Sequence, residues 1–178
     1  MKKTRYITLT GLLLAIAIVL SAVENTVFPP LPLGIKPGLS NIVIMFSLFC
    51  LDWKSILTIA ILKSGFVFLT RSVTAGFMSM SGGILSAVIM ILLMKKSKPS
   101  LMLISVFGAI AHNIAQLFCS ALITQSTYTL WYFPVLILTG LAAGILTGLV
   151  LKALMPALYK TQKLYFERIE YTDEANRN

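Results

Sequence analysis

Residues 6 to 23 of the chain read YITLTGLLLAIAIVLSAV, a run without a single charged side chain. A helix of about 20 mostly apolar residues is long enough to cross the roughly 30 Å hydrocarbon core of a membrane. The basic segment before this run, Met1 to Arg5, resembles the start of a secretory signal, but no small-residue cleavage site closes the run. We therefore predict that it is retained as a first transmembrane helix.

Similar apolar runs recur along the whole chain and predict five further helices. The predicted helices cover residues 6–23, 39–51, 55–70, 72–94, 100–124 and 130–154. The second run is short for a full crossing, so we expect that helix to begin within the membrane, shielded by protein. Four prolines between the first two runs predict a stiff loop.

These runs predict an all-α integral membrane protein. We expect a bundle of six transmembrane helices over residues 1–160 and a polar cytoplasmic tail over residues 161–178. The composition agrees, since 57% of the residues are hydrophobic and only 12% are charged, which no soluble fold could bury.

The basic residues lie at the ends of apolar runs and indicate orientation. With the N-terminus in the cytoplasm, twelve of the fifteen Lys and Arg fall on the cytoplasmic side, where such residues accumulate. Lys36 and Arg71 fall outside, and Lys63 lies within helix 3. The net charge of +9 forms no patch with interleaved aromatics, so we expect no nucleic-acid partner. We predict a protein of the bacterial inner membrane with both termini cytoplasmic.

Lys63 and Arg71 are the first candidate ligand-binding residues. Ionisable side chains within a membrane are costly unless they are paired or hydrated, so each one is a functional candidate. The two residues are eight positions apart and lie roughly on one helix face, which would suit an anionic ligand entering from outside. Alternatively, Lys63 reaches the membrane surface or has a structural partner. Glu24 could pair with Lys36 or Arg71.

Further polar candidates lie on helices 2, 4 and 5. His112 and Gln116 share one face of helix 5 at i, i+4 spacing. Together with Asn113 they are hydrogen-bonding groups near mid-membrane that act as ligand contacts, as bonds between helices, or as both. Ser81 belongs to a small-residue segment that favours close packing or a cavity. Asn41 lies at the start of helix 2, where the helix dipole presents its positive end.

Small residues spaced four apart predict docking seams, either within the bundle or toward a partner. The seam positions are Gly11 and Ala15 in helix 1 and Gly140, Gly144 and Gly148 in helix 6.

Catalysis and metal binding are not expected. Magnesium-assisted chemistry on a diphosphate needs clustered carboxylates, and no two stand together within the predicted membrane region. There is no phosphate-binding loop of the Walker A type. Cys50 and Cys119 have no metal-ligand spacing. We therefore expect no enzyme activity, no metal and no cofactor.

Three segments resemble a known family: LGIKPGLSN from Leu33, SMSGG from Ser79 and AHNIAQL from Ala111. It is the Gx transporter family, also labelled heptaprenyl diphosphate synthase component I, and the resemblance extends to about Leu154. That family is similar in size and span count to the S components of energy-coupling-factor vitamin transporters. The resemblance implies a small-molecule ligand and docking of the Gly11 and Ala15 seam onto a transmembrane coupling subunit that works with ATPases.

The leading hypothesis is therefore a substrate-binding membrane subunit of a small-molecule transporter. We expect a pocket for an anionic or cofactor-like ligand between helices 3, 4 and 5, roofed by the proline-rich loop. The alternative is a membrane accessory subunit of heptaprenyl diphosphate synthase, or of a quinone- or flavin-linked electron-transfer pathway.

Overall fold

The computed structural model describes residues 2–27, 38, 40–96 and 99–175. All regular structure within these residues is helical, which confirms the predicted all-α class. The helices are α1 (Lys2–Val27), α2 (Asn41–Cys50), α3 (Trp53–Thr70), α4 (Val73–Lys96), α5 (Leu101–Thr124) and α6 (Phe133–Ala175), with a 3-10 helix at Thr127–Tyr132.

Five of the helices are long and apolar enough to cross a membrane, so the chain is a multi-pass membrane protein. The exception is α2, whose ten residues extend only about 15 Å. Its side chains Ile44 and Met45 are buried in the main core cluster with Met90, Ile104 and Leu151. The short helix is therefore surrounded by protein, as predicted, and its backbone is protected from lipid.

The last helix differs most from the prediction. It begins at Phe133, after the 3-10 helix, and it continues through Pro156 to Ala175 rather than ending near residue 154. Residues 157–175 are rich in Leu, Lys, Gln and Glu, which favour helix even without an apolar face. The predicted polar tail is thus helical up to residue 175.

The tightest packing in the fold is that of α5 between α4 and α6. A Cβ atom added to Gly144 would lie 2.6 Å from Val106 Cα, and one added to Gly140 would lie 3.2 Å from Ile110 Cα. Gly148 faces Met102 in the same way. The glycine seam of helix 6 therefore faces α5 within the bundle, which is the first of the two alternatives predicted for it.

Helix α1 lies at the edge of the bundle, against α2 and α3. A Cβ atom at Gly11 would have no neighbour within 4 Å, and both Gly11 and Ala15 are exposed. The seam predicted on helix 1 therefore lies on an open face of the described structure.

Two contacts define the ends of the bundle. At one end, Tyr6 Oη lies 2.7 Å from Ser55 Oγ, so the start of α1 meets the start of α3. At the other end, Arg71 donates a hydrogen bond to Asn25 Oδ1, so the end of α1 meets the α3–α4 connection. We call these the Tyr6 end and the Arg71 end.

Candidate ligand-binding site

A cavity lies toward the Arg71 end, where α1, α3, α4 and α5 meet the segment before α2. Its volume accessible to the centre of a water molecule is about 30 Å³, enough for about two waters. We call it the polar cavity. Its lining residues are Ser21, Glu24, Gly38, Ser40, Lys63, Val67, Arg71, Ala75, Met78, Ser79, His112 and Gln116.

The predicted pocket between helices 3, 4 and 5 corresponds in part to this cavity. Helix α1 and the segment at Gly38 and Ser40 also contribute walls, which the sequence did not reveal. The predicted proline-rich roof falls on residues 28–37, which lie outside the described residues, as does the proposed pairing partner Lys36.

Lys63 projects into the interior of the bundle. Its side chain is only 2% exposed, and its Nζ donates a hydrogen bond of 2.9 Å to Ser40 Oγ. The ammonium therefore does not reach the membrane surface. A buried ammonium is unfavourable unless charges or several hydrogen bonds compensate for lost hydration. The Glu24 carboxylate in the same cavity interacts electrostatically with Lys63 and supplies part of this compensation, and the cavity has room for further acceptors.

The other two charged residues of the cavity are Glu24 and Arg71. Glu24 is buried, and its carboxylate accepts a hydrogen bond from the backbone N–H of Gly38. Gly38 has a φ of 81°, a left-handed conformation that glycine adopts at little cost. Among the described residues, the cavity is thus lined by two cations and one carboxylate, which together carry a positive formal charge.

His112 and Gln116 form the α5 side of the cavity. Both are buried, and Gln116 Nε2 lies 2.9 Å from His112 Nε2, as the i, i+4 spacing predicted. Gln116 Oε1 has no hydrogen-bond partner among the described residues. The imidazole fits against α4 because a Cβ atom at Gly82 would lie 2.7 Å from His112 Nδ1. Gly82 therefore makes room for the ring.

Replacing Gly82 with alanine should displace His112 and lower both ligand binding and stability. Overpacking of this kind typically costs about 1–3 kcal/mol. Gly83→Ala is a matched control, because its Cβ atom would meet Ala60 Cβ at an ordinary 3.6 Å. Thermal unfolding in detergent should show a lower midpoint for Gly82→Ala alone. Equal midpoints for the two variants would contradict this placement of His112.

Three predicted ligand contacts, Asn41, Ser81 and Asn113, do not line the polar cavity. Asn113 points toward α6, where its Nδ2 donates to Leu136 O at 2.9 Å and so joins two helices. Ser81 donates to Met78 O at 3.1 Å within its own helix. Sequence reasoning missed Ser21 and Ser40, although Ser40 lies directly before the predicted Asn41 and within the LGIKPGLSN segment.

Asn41 faces a second, smaller cavity of about 10 Å³ on the same scale. We call it the methionine cavity. The side chain of Asn41 is 7% exposed, and neither Nδ2 nor Oδ1 has a hydrogen-bond partner among the described residues. The cavity is lined by Gly38, Asn41, Met45, Met90, Ser105, Gly108, Ala109 and Thr147.

The family model described as heptaprenyl diphosphate synthase component I matches residues 13–154 of the chain. Comparisons with curated proteins and with solved structures gave no match.

Proposed function

Because the chain belongs to the heptaprenyl diphosphate synthase component I family and is a multi-pass membrane protein, we propose that it is a ligand-binding subunit of a membrane transport system. Its ligand would be a small anion held in the polar cavity. The chain would bind this ligand rather than transform it.

The burial of Lys63 is the observation that carries this proposal. Its ammonium can donate three hydrogen bonds, of which one goes to Ser40 at 2.9 Å. Arg71 lines the same cavity and presents a planar guanidinium suited to carboxylate or phosphate. An anionic ligand would supply acceptors to both cations, and it would compensate for the burial of Lys63. Gln116 could add a neutral hydrogen bond to such a ligand.

The proposed orientation places the Tyr6 end in the cytoplasm and the Arg71 end outside. The distribution of basic residues supports this orientation, because Lys and Arg accumulate on the cytoplasmic side of membrane proteins. Lys54 lies at the Tyr6 end, whereas Arg71 is the one described cation at the Arg71 end. Tyr128 and Trp131 of the 3-10 helix are exposed aromatics, which are typical of a membrane interface. The polar cavity would then accept ligand from outside.

Cysteine labelling should verify this orientation. In a background without Cys50 and Cys119, Lys54→Cys should react with a membrane-impermeant maleimide only after the cells are opened. Tyr128→Cys, at a side chain that is 80% exposed, should react in intact cells. The reverse pattern would invert the proposed topology.

A partner is proposed at the open face of α1. Gly11 and Ala15 are exposed there, so another helix could approach the backbone closely. We propose a transmembrane coupling subunit, served by ATPases, as the protein that docks on this face. Gly11→Leu should disrupt the association while leaving the bundle folded.

A second candidate function rests on the description of the family itself. The chain would then be a membrane accessory subunit of heptaprenyl diphosphate synthase. In that case a soluble prenyl synthase, rather than a transport module, would bind to it.

Affinity purification in mild detergent separates the two candidates. Mass spectrometry of the copurifying proteins and of small molecules released on denaturation should detect an anionic metabolite, a coupling subunit and ATPases. Recovery of a prenyl synthase without any bound small molecule would contradict the transport proposal and favour the accessory role.

A further inference from the structure

The polar cavity and the methionine cavity are separated by very little protein. Gly38 lines both of them. A Cβ atom at Gly38 would lie 3.0 Å from Asn41 Nδ2 and 3.3 Å from the His112 ring. Gly38 therefore adjoins both cavities close to the Asn41 amide and the imidazole, and it has no side chain that would separate these two groups. Lys63 bonds to Ser40, and Ser40 directly precedes Asn41, which lines the methionine cavity. A ligand held at Lys63 in the polar cavity would therefore also lie near the methionine cavity.

The Asn41 amide has unused hydrogen-bonding capacity. Both of its polar atoms lack partners among the described residues, although the side chain is more than nine-tenths buried. Buried amides are normally paired, because an unpaired one loses its bonds to water without replacement. In contrast, Ser105 and Thr147 of the same cavity both bond to Gly144 O, at 2.7 and 3.1 Å. Among the described residues, Asn41 therefore differs from Ser105 and Thr147 in having an amide whose donor and acceptor are both free to bond to a ligand.

The chemistry of that ligand group follows from the amide. A side-chain amide has an N–H donor next to a carbonyl acceptor. It therefore pairs best with a ligand group that also has an acceptor next to a donor, as asparagine pairs with adenine in nucleic-acid recognition. Carboxamides and lactam-type ring edges have this pattern.

The methionine cavity has room for about one water, so a flat ring could enter only if a wall residue moved. Met45 and Met90 are buried there, and the thioether of Met90 fills the space above Gly108, where a Cβ atom would lie 2.7 Å from its Sδ. Methionine is flexible and makes favourable contacts with aromatic rings, so Met90 can move aside for a ring and then pack against it.

We propose that the two cavities are subsites of one elongated site. Its ligand is an acid whose anionic group binds Lys63 and Arg71 and whose ring carries a carboxamide or lactam edge that pairs with Asn41. This assignment of ligand class rests on the proposed anion-binding function and extends it.

Matched fragments test the assignment. The probes are 3- and 4-carbamoylbenzoate, and their partners 3- and 4-acetylbenzoate, which keep the shape and the carbonyl but lack the N–H donor. Dissociation constants are measured on the full chain in lipid nanodiscs. The carbamoyl member of at least one pair should bind about tenfold tighter, because a site built to bond a donor rejects the analogue without it.

Two substitutions of Asn41 test whether this residue causes the tighter binding of the carbamoyl compounds. Asn41→Leu keeps the number and branching of the side-chain heavy atoms but has no hydrogen-bonding group, so it should bind both members of each pair equally, at the level of the acetyl compound. Asn41→Ala serves as the second variant where leucine overfills the cavity. Lys63→Met should weaken both members of every pair by a similar factor.

The results distinguish the two proposals. If all four benzoates bind the wild-type protein equally and Lys63→Met weakens them all, the Asn41 subsite is wrong and the anion site stands. A carbamoyl preference that survives in both Asn41 variants also overturns the subsite. If none of the benzoates binds to the wild-type protein, both the anion site and the subsite are rejected.

Discussion

Lys63→Met should nearly abolish binding of the anionic ligand while the bundle stays folded. Methionine keeps the length and apolar stem of lysine, but it removes the ammonium that bonds to Ser40 at 2.9 Å. A hydrogen bond from a charged donor is worth about 2 kcal/mol, so we expect a loss of about thirtyfold in affinity, and more if charge attraction contributes. The amount of anionic small molecule retained per mole of purified protein measures the effect.

Stability distinguishes a functional lysine from a structural one. Removal of the buried ammonium relieves its lost hydration but also takes away its attraction to the buried Glu24 carboxylate, so the thermal midpoint of ligand-free Lys63→Met should stay close to that of the wild type. Lys54→Met is the control, because Lys54 is exposed near the opposite end of α3 and its loss should leave binding unchanged. A marked fall in the midpoint, with unchanged ligand retention, would show that Lys63 serves the fold alone.

The largest effect on stability is expected at Gly144. An alanine there would place its Cβ atom 2.6 Å from Val106 Cα, so α5 and α6 would have to separate along the contact. Backbone cannot move aside as a flexible side chain can, and we expect destabilisation at the upper end of the usual 1–3 kcal/mol for overpacking. The hydrogen bond from Ser105 to Gly144 O would also be strained.

Gly11→Ala is the matched control for that substitution. It makes the same chemical change in a helix, but no atom lies within 4 Å of the new methyl group. Alanine favours helix over glycine by roughly 1 kcal/mol, so this variant should be as stable as the wild type or more so. Unfolding curves in mixed micelles compare the two. Similar losses in both variants would contradict the close α5–α6 contact.

The helices could be predicted because each apolar run is visible in residues that are adjacent in the sequence, without knowledge of tertiary contacts. The short second helix and the shared face of His112 and Gln116 followed from length and helical spacing. The burial of Lys63 did not, since its position within helix 3 left open whether it reaches the membrane surface. The end of α6 was not predictable in this way, since the helix continues into polar residues that carry no apolar pattern.

The contacts of the site depend on tertiary structure and could not be predicted so well. Ser40, the partner of Lys63, is 23 positions away in sequence, and no local pattern links the two. Asn113 follows His112 directly, yet successive residues in a helix point about 100° apart, so only one of them can face the cavity. The sequence identified a polar cluster on α5 without showing which member turns toward α6.

In the orientation proposed above, the depth of Lys63 would make binding of an anion there sensitive to membrane voltage. Lys63 precedes the end of α3 at Thr70 by seven residues, about 10 Å of helix and roughly a third of the hydrocarbon thickness. A monovalent anion that arrives from outside would cross a similar fraction of the electric field. At 100 mV, negative inside, this opposes binding by about 0.8 kcal/mol, or close to fourfold in affinity. An energised cell would therefore load this site less readily than a depolarised one, and the ligand would be drawn back outward unless a partner used energy to release it inside.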